Sequence, residues 1–386
     1  MVYKVIGLMS GSSLDGLDIA YTHLHENAGK WEYQIVHAAC YPYPAGWGEQ
    51  LAAAGLLSAL DYQLLHTDYG HWLGEQVLRF IDDYDLAYQV QLIASHGHTV
   101  FHLPAQKMTA QLGDGAALAA STGINVVSDL RAMDLALGGQ GAPIVPVGEK
   151  LLLPGYEFFL NLGGIANISA HRRGGSSDNS DTLSLIAGSF VAFDICPANR
   201  VLNLLAAREG MAYDDQGALA ASGTVDEDLL ERLNGLAYYG QGYPKSLAND
   251  FGTDTVYPLL TATAVVADAL RTYTEHIAIQ VRKAIALLGQ SQPAPDAAGK
   301  PASERRLLVT GGGAHNRFLI ERLNRSLDEL QMEAVLPERQ LIDFKEALII
   351  ALLGVLRWRE ENNVLASVTG ARRDSIGGAV WMGQEV

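Results

Sequence analysis

A chain of 386 residues, 48% hydrophobic and 18% charged, can bury a large core, and at roughly 150 residues per domain it exceeds one typical domain. A formal charge of −16, with no basic run longer than two residues, excludes nucleic-acid binding as a main task, because phosphate contacts supply most of that affinity. Two cysteines, Cys40 and Cys196, cannot build a disulfide framework; no stretch is long and apolar enough to cross a bilayer; and no secretion leader is evident, so the expectation is a cytoplasmic protein with no membrane partner.

Residues 1–25 read as strand, tight turn, strand. The turn, Ser10-Gly11-Ser12-Ser13-Leu14-Asp15-Gly16-Leu17-Asp18, has two readings. Gly, Ser and Asp make an ordinary hairpin turn. The same residues expose backbone N–H groups that can wrap a phosphate chain, with Asp15 and Asp18 tolerated if a divalent cation lies between carboxylate and phosphate. Residues 32–41 read as a third strand, and 59–82 as an amphipathic helix whose face is marked by Leu60, Leu64, Leu65, Tyr69, Trp72, Leu73, Gln76 and Phe80. A buried strand at 90–94 ends in Ser95-His96-Gly97-His98. A helix over 111–122 and a strand over 124–127 follow. Gly138-Gly139-Gln140-Gly141-Ala142-Pro143 then breaks the pattern, which puts a domain boundary near residue 145.

The second half opens the same way. Phe158 to Leu162 reads as a strand, Gly163-Gly164 as a turn and Ile165 to Ser169 as a return strand. Residues 172–181 read as a polar loop. Phe190 to Phe193 is a strand ending at Asp194, with a helix expected over 198–208 and a long one over 261–288. After a proline-containing loop at 289–304, strand 307–309 enters Gly311-Gly312-Gly313, and helices are expected from Asn316 and from Asp343. Two halves that alternate strands and helices after a strand–Gly turn–strand start imply two α/β domains with a ligand cleft between them.

Three glycine clusters follow strands: 10–18, 163–167 and 311–316. None is a Walker loop, since no Gly-Lys-Ser/Thr closes it. Asp194, at a strand end before a helix, is either a general base facing a cleft or a helix cap. His96, His98 and His102 lack a carboxylate or Cys at metal-ligand spacing. Asp343 and Glu346 fit a capping box as well as a ligand contact.

These blocks together resemble the anhydro-N-acetylmuramic acid kinase family, in the actin, Hsp70 and hexokinase superfamily. The stretches that carry the resemblance run from Met9–Asp18 through Ser95–Val100, Leu112–Asp114, Thr122–Arg131 and Asp134–Pro143. They continue with Leu160–Ser169, Thr310–Asn316, Glu346–Leu348 and Ser367–Ala371. The resemblance implies two actin/hexokinase-like (ribonuclease H-like) α/β domains with mixed sheets, at 1–145 and 146–369, with the tail 370–386 returning to the first and a nucleotide cleft between them. It implies ATP-dependent phosphorylation of O6 of the anhydro sugar with water added at C1. Gly11, Ser12, Ser13, Leu14, Asp15, Gly16, Leu17, Asp18, Gly163, Gly164, Gly311, Gly312 and Gly313 would hold ATP. Asp15 would hold Mg²⁺ through water, and Asp194 would activate the attacking water. Ser10, His96, Asp129, Arg131, Asn199 and Glu346 would line the sugar side. A homodimer is implied as well.

The chain departs from the family's usual wording on the sugar side. Asp-Thr-Gly-Pro-Gly-Asn reads Asp194-Ile195-Cys196-Pro197-Ala198-Asn199, and an Asp four residues further on is Asn203. Lys-Ser-Thr-Gly-Arg-Glu-Tyr-Phe reads Lys245-Ser246-Leu247-Ala248-Asn249-Asp250-Phe251, and the Gln of His-Gly-Gln-Thr is His98. A kinase for a related sugar, or a nucleotide-switched binding protein of the same superfamily, are the alternatives.

Overall fold

The computed structural model describes residues 1–11, 14, 16–171, 190–243, 245–248, 250–262, 265–290 and 305–383. Ser12, Ser13, Asp15, the expected loop 172–181 and most of the expected loop 289–304 lie outside the described residues. The chain forms two compact units: Met1–Pro154 with Phe344–Val386, and Gly155–Asp343. The boundaries expected from the sequence stood at 145/146 and at 370.

The first unit is built on strands β1 (Val2–Ser10), β2 (Gly16–Asn27), β3 (Lys30–Pro42), β4 (Leu92–Ser95) and β7 (Val126–Ser128). β1, β2 and β3 form an antiparallel meander, and β4 and β7 run parallel to β1. β5 (His98–Leu103) and β6 (Met108–Leu112) form a separate hairpin. That hairpin takes residues 111 and 112 out of the expected helix, which starts at Gly115 because the Asp114 carboxylate caps the N–H groups of Ala116 and Ala117. β1 is central, so it reads as a near-continuous apolar run rather than an alternation. Its side chains still alternate faces. Ile6 and Leu8 join the core under helix Ala59–Asp83, whereas Gly7 backs onto the helix that carries Ala347.

The second unit repeats the plan with β8 (Phe158–Leu162), β9 (Ile165–His171), β10 (Phe190–Pro197), β11 (Arg306–Thr310) and β12 (Glu333–Val335). β8, β9 and β10 are antiparallel, and β11 and β12 are parallel to β8. Its core joins Phe158, Leu160, Leu307 and Val309 to helices Asn199–Ala207, Val266–Gln290 and Arg317–Leu327. The two sheets therefore share one order, third-second-first-fourth-fifth. The first carries an extra antiparallel edge strand, β13 (Ala379–Trp381), on β7, so the C-terminal segment returns to the first sheet.

The last long helix spans Arg339–Trp358, four residues before the expected start at Asp343. Asp343 is thus inside the helix and not its cap. It receives His315 Nε2 at 2.5 Å and Arg339 Nε at 3.4 Å. Phe344, with φ −119°, kinks the helix where the chain passes from the second unit to the first. No helix among the described residues is long and apolar enough to cross a membrane.

Candidate functional site

On the first unit, Ser10 ends β1 and is buried. Its Oγ lies 2.6 Å from Tyr43 OH and 3.1 Å from His98 Nδ1, and Tyr43 OH lies 2.8 Å from Tyr69 OH. Neither tyrosine stands out in sequence, because each reads as core. The turn after Ser10 holds Leu14 at φ 56°, a left-handed backbone uncommon for a bulky residue. Leu17 points into the apolar core, so only its backbone faces outward, while Gly16 and Asp18 begin the second strand.

His96 and Arg131 meet on the same unit. Arg131 Nε donates to His96 Nε2 at 2.8 Å, and Arg131 Nη1 donates to Gly141 O at 2.9 Å. Burial, reinforced by the guanidinium, lowers His96 to about 3, so the ring is neutral at pH 7. Burial also lowers Arg131 to about 10, while the Glu346 charge pulls the other way; the guanidinium stays a cation. Asp129, at φ 54°, precedes Arg131 by two residues and receives the Ala132 N–H. The four residues His96, Asp129, Arg131 and Glu346 thus belong to one unit and three of them are electrostatically coupled. His102 makes its own contact with Thr109 Oγ1 at 3.3 Å.

On the second unit, Asp194 lies within β10 rather than at its end. A bulge between Asp194 and Cys196 leaves Ile195 as the extra residue opposite β9. The carboxylate is partly buried and its Oδ2 accepts the Leu247 N–H at 2.9 Å. Burial raises its pKa above the ordinary carboxylate value, and the Leu247 N–H opposes that shift. The backbone N–H of Asp194 donates to Lys245 O at 3.3 Å, and its carbonyl accepts Tyr238 OH at 2.7 Å. Asp194 does not cap the next helix, whose N-cap is Ala198 with no side-chain bond. Cys196 and Ala198, where the family has glycine, are not at positive φ; Ala198 has φ −129°. Cys196 is fully buried, and burial pushes its thiol far up, which disfavours the thiolate form.

Three glycine turns were expected at strand ends, and two meet in this unit. Gly163 and Gly164 join β8 to β9, and their carbonyls accept the N–H groups of Asn199 and Ala198 at 3.1 and 2.8 Å. Gly311 follows β11 at φ 83°, and a Cβ there would lie 2.9 Å from Leu162 C. Only glycine combines that backbone with that approach. Asn199 bridges the two turns: its Nδ2 donates to Leu162 O at 2.9 Å, and a Cβ on Gly313 would meet its Oδ1 at 3.0 Å. Beside the Gly311–Gly313 turn, a cavity of about 430 Å³ is lined by Gln216, Ala314, His315, Arg317, Leu336 and Ile342 among others. Its lining comes from segments far apart in sequence, so no local pattern announces it.

Two units on one strand order, each with glycine turns at strand ends, agree with the two actin- and hexokinase-like α/β domains that the resemblance implies. The family model described as "Anhydro-N-acetylmuramic acid kinase" matches residues 3–383. Proteins of that name from Gloeobacter violaceus and Methylorubrum extorquens are 34% and 36% identical, each alignment covering 95% of this chain and 96% and 97% of the relative. One from Vibrio parahaemolyticus is 32% identical, with 95% of both chains covered. This chain belongs to the anhydro-N-acetylmuramic acid kinase family.

Proposed function

We propose that this protein uses ATP to phosphorylate O6 of 1,6-anhydro-N-acetylmuramic acid while water adds at C1, giving N-acetylmuramic acid 6-phosphate. The family membership supports the reading, and the observation that carries it is Asp194: a partly buried carboxylate, steadied by one backbone N–H and made more basic by burial. In this reading Asp194 takes a proton from water as the water oxygen bonds to C1. The C1–O6 bond breaks, O6 takes the γ-phosphoryl group, and ADP leaves.

Ser10, His96, Asp129, Arg131 and Glu346 bind the sugar. Neutral His96 presents no charge of its own, and Arg131 supplies the cation. Gly11 to Asp18, Gly163, Gly164 and Gly311 to Gly313 bind ATP. Asn199 goes with the nucleotide, since its amide lies against the Gly312–Gly313 backbone. Among the described residues no cluster of three His, Cys, Asp or Glu is placed to hold a metal ion, and Asp15 lies outside them. Mg²⁺ commonly takes one or two carboxylates and draws its other oxygens from phosphate and water, which fits Asp15 with Asp18 nearby in sequence. When bound it neutralises phosphate charge. A cytoplasmic homodimer completes the proposal.

The purified protein with ATP, Mg²⁺ and the anhydro sugar should give a product heavier by one phosphoryl group and one water. ADP release without that product would overturn the reading. A related sugar is the second candidate, favoured by His98, which replaces the family's Gln and hydrogen-bonds Ser10. A panel of amino sugars followed by ADP release separates the two.

A further inference from the structure

The blocks Asp134–Pro143 and Ser367–Ala371 mark the family but have no part in the roles above. They meet on the first unit. Asp134 is 1% exposed; its Oδ2 accepts the Gly141 N–H at 2.7 Å and its Oδ1 accepts the Thr369 hydroxyl at 2.7 Å. Thr369, also 1% exposed, holds the same loop a second time, its carbonyl accepting the Gln140 N–H at 2.8 Å. Gly139 lies so close that a Cβ there would sit 2.6 Å from the Asp134 carboxyl carbon. The loop is thus wrapped around one buried carboxylate. Its outer face does a different job, because the Gly141 carbonyl accepts Arg131 Nη1 at 2.9 Å, and Arg131 Nε reaches His96 Nε2 at 2.8 Å.

We propose that Asp134 and Thr369 are positioning residues for sugar binding: they clamp the Gly138–Pro143 loop so that Gly141 O fixes the Arg131 guanidinium against His96. The chain of contacts runs Thr369, Asp134, Gly141, Arg131, His96, and every member is within one unit. A guanidinium held at two donors keeps its remaining N–H groups in a fixed fork, the geometry that matches a carboxylate or a pair of hydroxyls. Thr369, the last residue of the short helix Ala366–Thr369, links the C-terminal segment to that fork through its hydroxyl.

The inference rests on the reading that Arg131 binds the sugar. The test compares Thr369→Val, Thr369→Ser, Asp134→Asn and Arg131→Met in the full chain. The measurements are sugar KM, ATP KM and melting temperature. Val keeps the shape of Thr and removes the donor. Sugar KM should rise about tenfold for Thr369→Val with ATP KM unchanged, since the loss of a hydrogen bond to a charged acceptor is of that size. Thr369→Ser should restore it. Arg131→Met should raise sugar KM more than either. Should Thr369→Val fail to fold, Asp134→Asn carries the test. Its amide oxygen can keep the Gly141 N–H and its amide nitrogen can donate to the Thr369 oxygen, so a smaller rise of about threefold is expected. If Arg131→Met raises sugar KM while Thr369→Val and Asp134→Asn change only the melting temperature, the clamp is structural and the inference fails. If Arg131→Met leaves sugar KM unchanged, the assignment of Arg131 to the sugar fails and takes the inference with it.

Discussion

Arg131 Nε donates to His96 Nε2 at 2.8 Å, so the imidazole carries its single proton on Nδ1, 2.8 Å from Gly97 O. One tautomer is thereby selected by a guanidinium on one side and a carbonyl on the other. His276, in the second unit, is likewise buried and neutral, with Nδ1 2.9 Å from Asn234 Oδ1. Burial lowers each ring from 6.5 to about 3, with Arg131 adding to the shift at His96 and Lys283 at His276.

Between those two values the unfolded chain binds more protons than the folded one, so stability is fully present above about pH 6.5 and is lost as pH falls toward 3. Each histidine contributes a slope of up to about 1.4 kcal/mol per pH unit. Urea midpoints measured from pH 7 to 5 should decline, and less steeply in His276→Gln. Midpoints that stay flat over that range would rule this out.

Asp194→Asn should lower kcat by about a hundredfold to ten-thousandfold, the range for removal of a general base, while ATP affinity stays within about twofold. Because burial raises the Asp194 pKa, the acid limb of the rate profile in the unaltered protein should lie above the ordinary value of 3.8. Activity falls as pH drops through it. Single-turnover rates and nucleotide titration check both halves, and an active Asn variant would remove Asp194 from its role.

Gly311→Ala forces a Cβ onto the end of β8 at φ 83°. The strain is expected to cost about 1–3 kcal/mol and to raise ATP KM more than sugar KM. A variant with unaltered melting and unaltered ATP KM would show that this turn is not a nucleotide bed.

Lys345 Nζ pairs with Glu149 Oε1 at 2.9 Å, with side chains 4% and 2% exposed. Lys345→Met removes the ammonium from beside a buried carboxylate and should destabilise by about 3–5 kcal/mol. Adding Glu149→Leu should recover most of the loss. Chemical denaturation reads both, and a single variant within about 0.5 kcal/mol of the original would contradict the ion-pair account.

Much of the plan is written in local patterns. The alternation of apolar strands with Gly turns is a feature of neighbouring residues, so β1, β2, β8, β9 and the glycine clusters were legible, whereas Asp194, read as the end of a strand, lies inside β10. Hairpin β5–β6 was not, because its alternation is interrupted by a register shift between Thr99 and Phe101 and by the Pro104–Gln106 turn. Nor was the early start of helix Arg339–Trp358, since Asp343-Phe344-Lys345-Glu346 imitates a cap that tertiary contacts with His315 override.

By itself the sequence determined the family, the two α/β halves and the residue types at the candidate site, because those depend on motif identity and short-range periodicity. Tertiary structure alone decided that Asn199 serves the glycine turns at the ends of β8 and β11, that a bulge sets Asp194 within β10, and that His96 is neutral against Arg131. It also decided that Thr369 and Asp134, 235 residues apart, share one hydrogen bond. Burial and long-range hydrogen bonds fix these, and neither leaves a period in the chain.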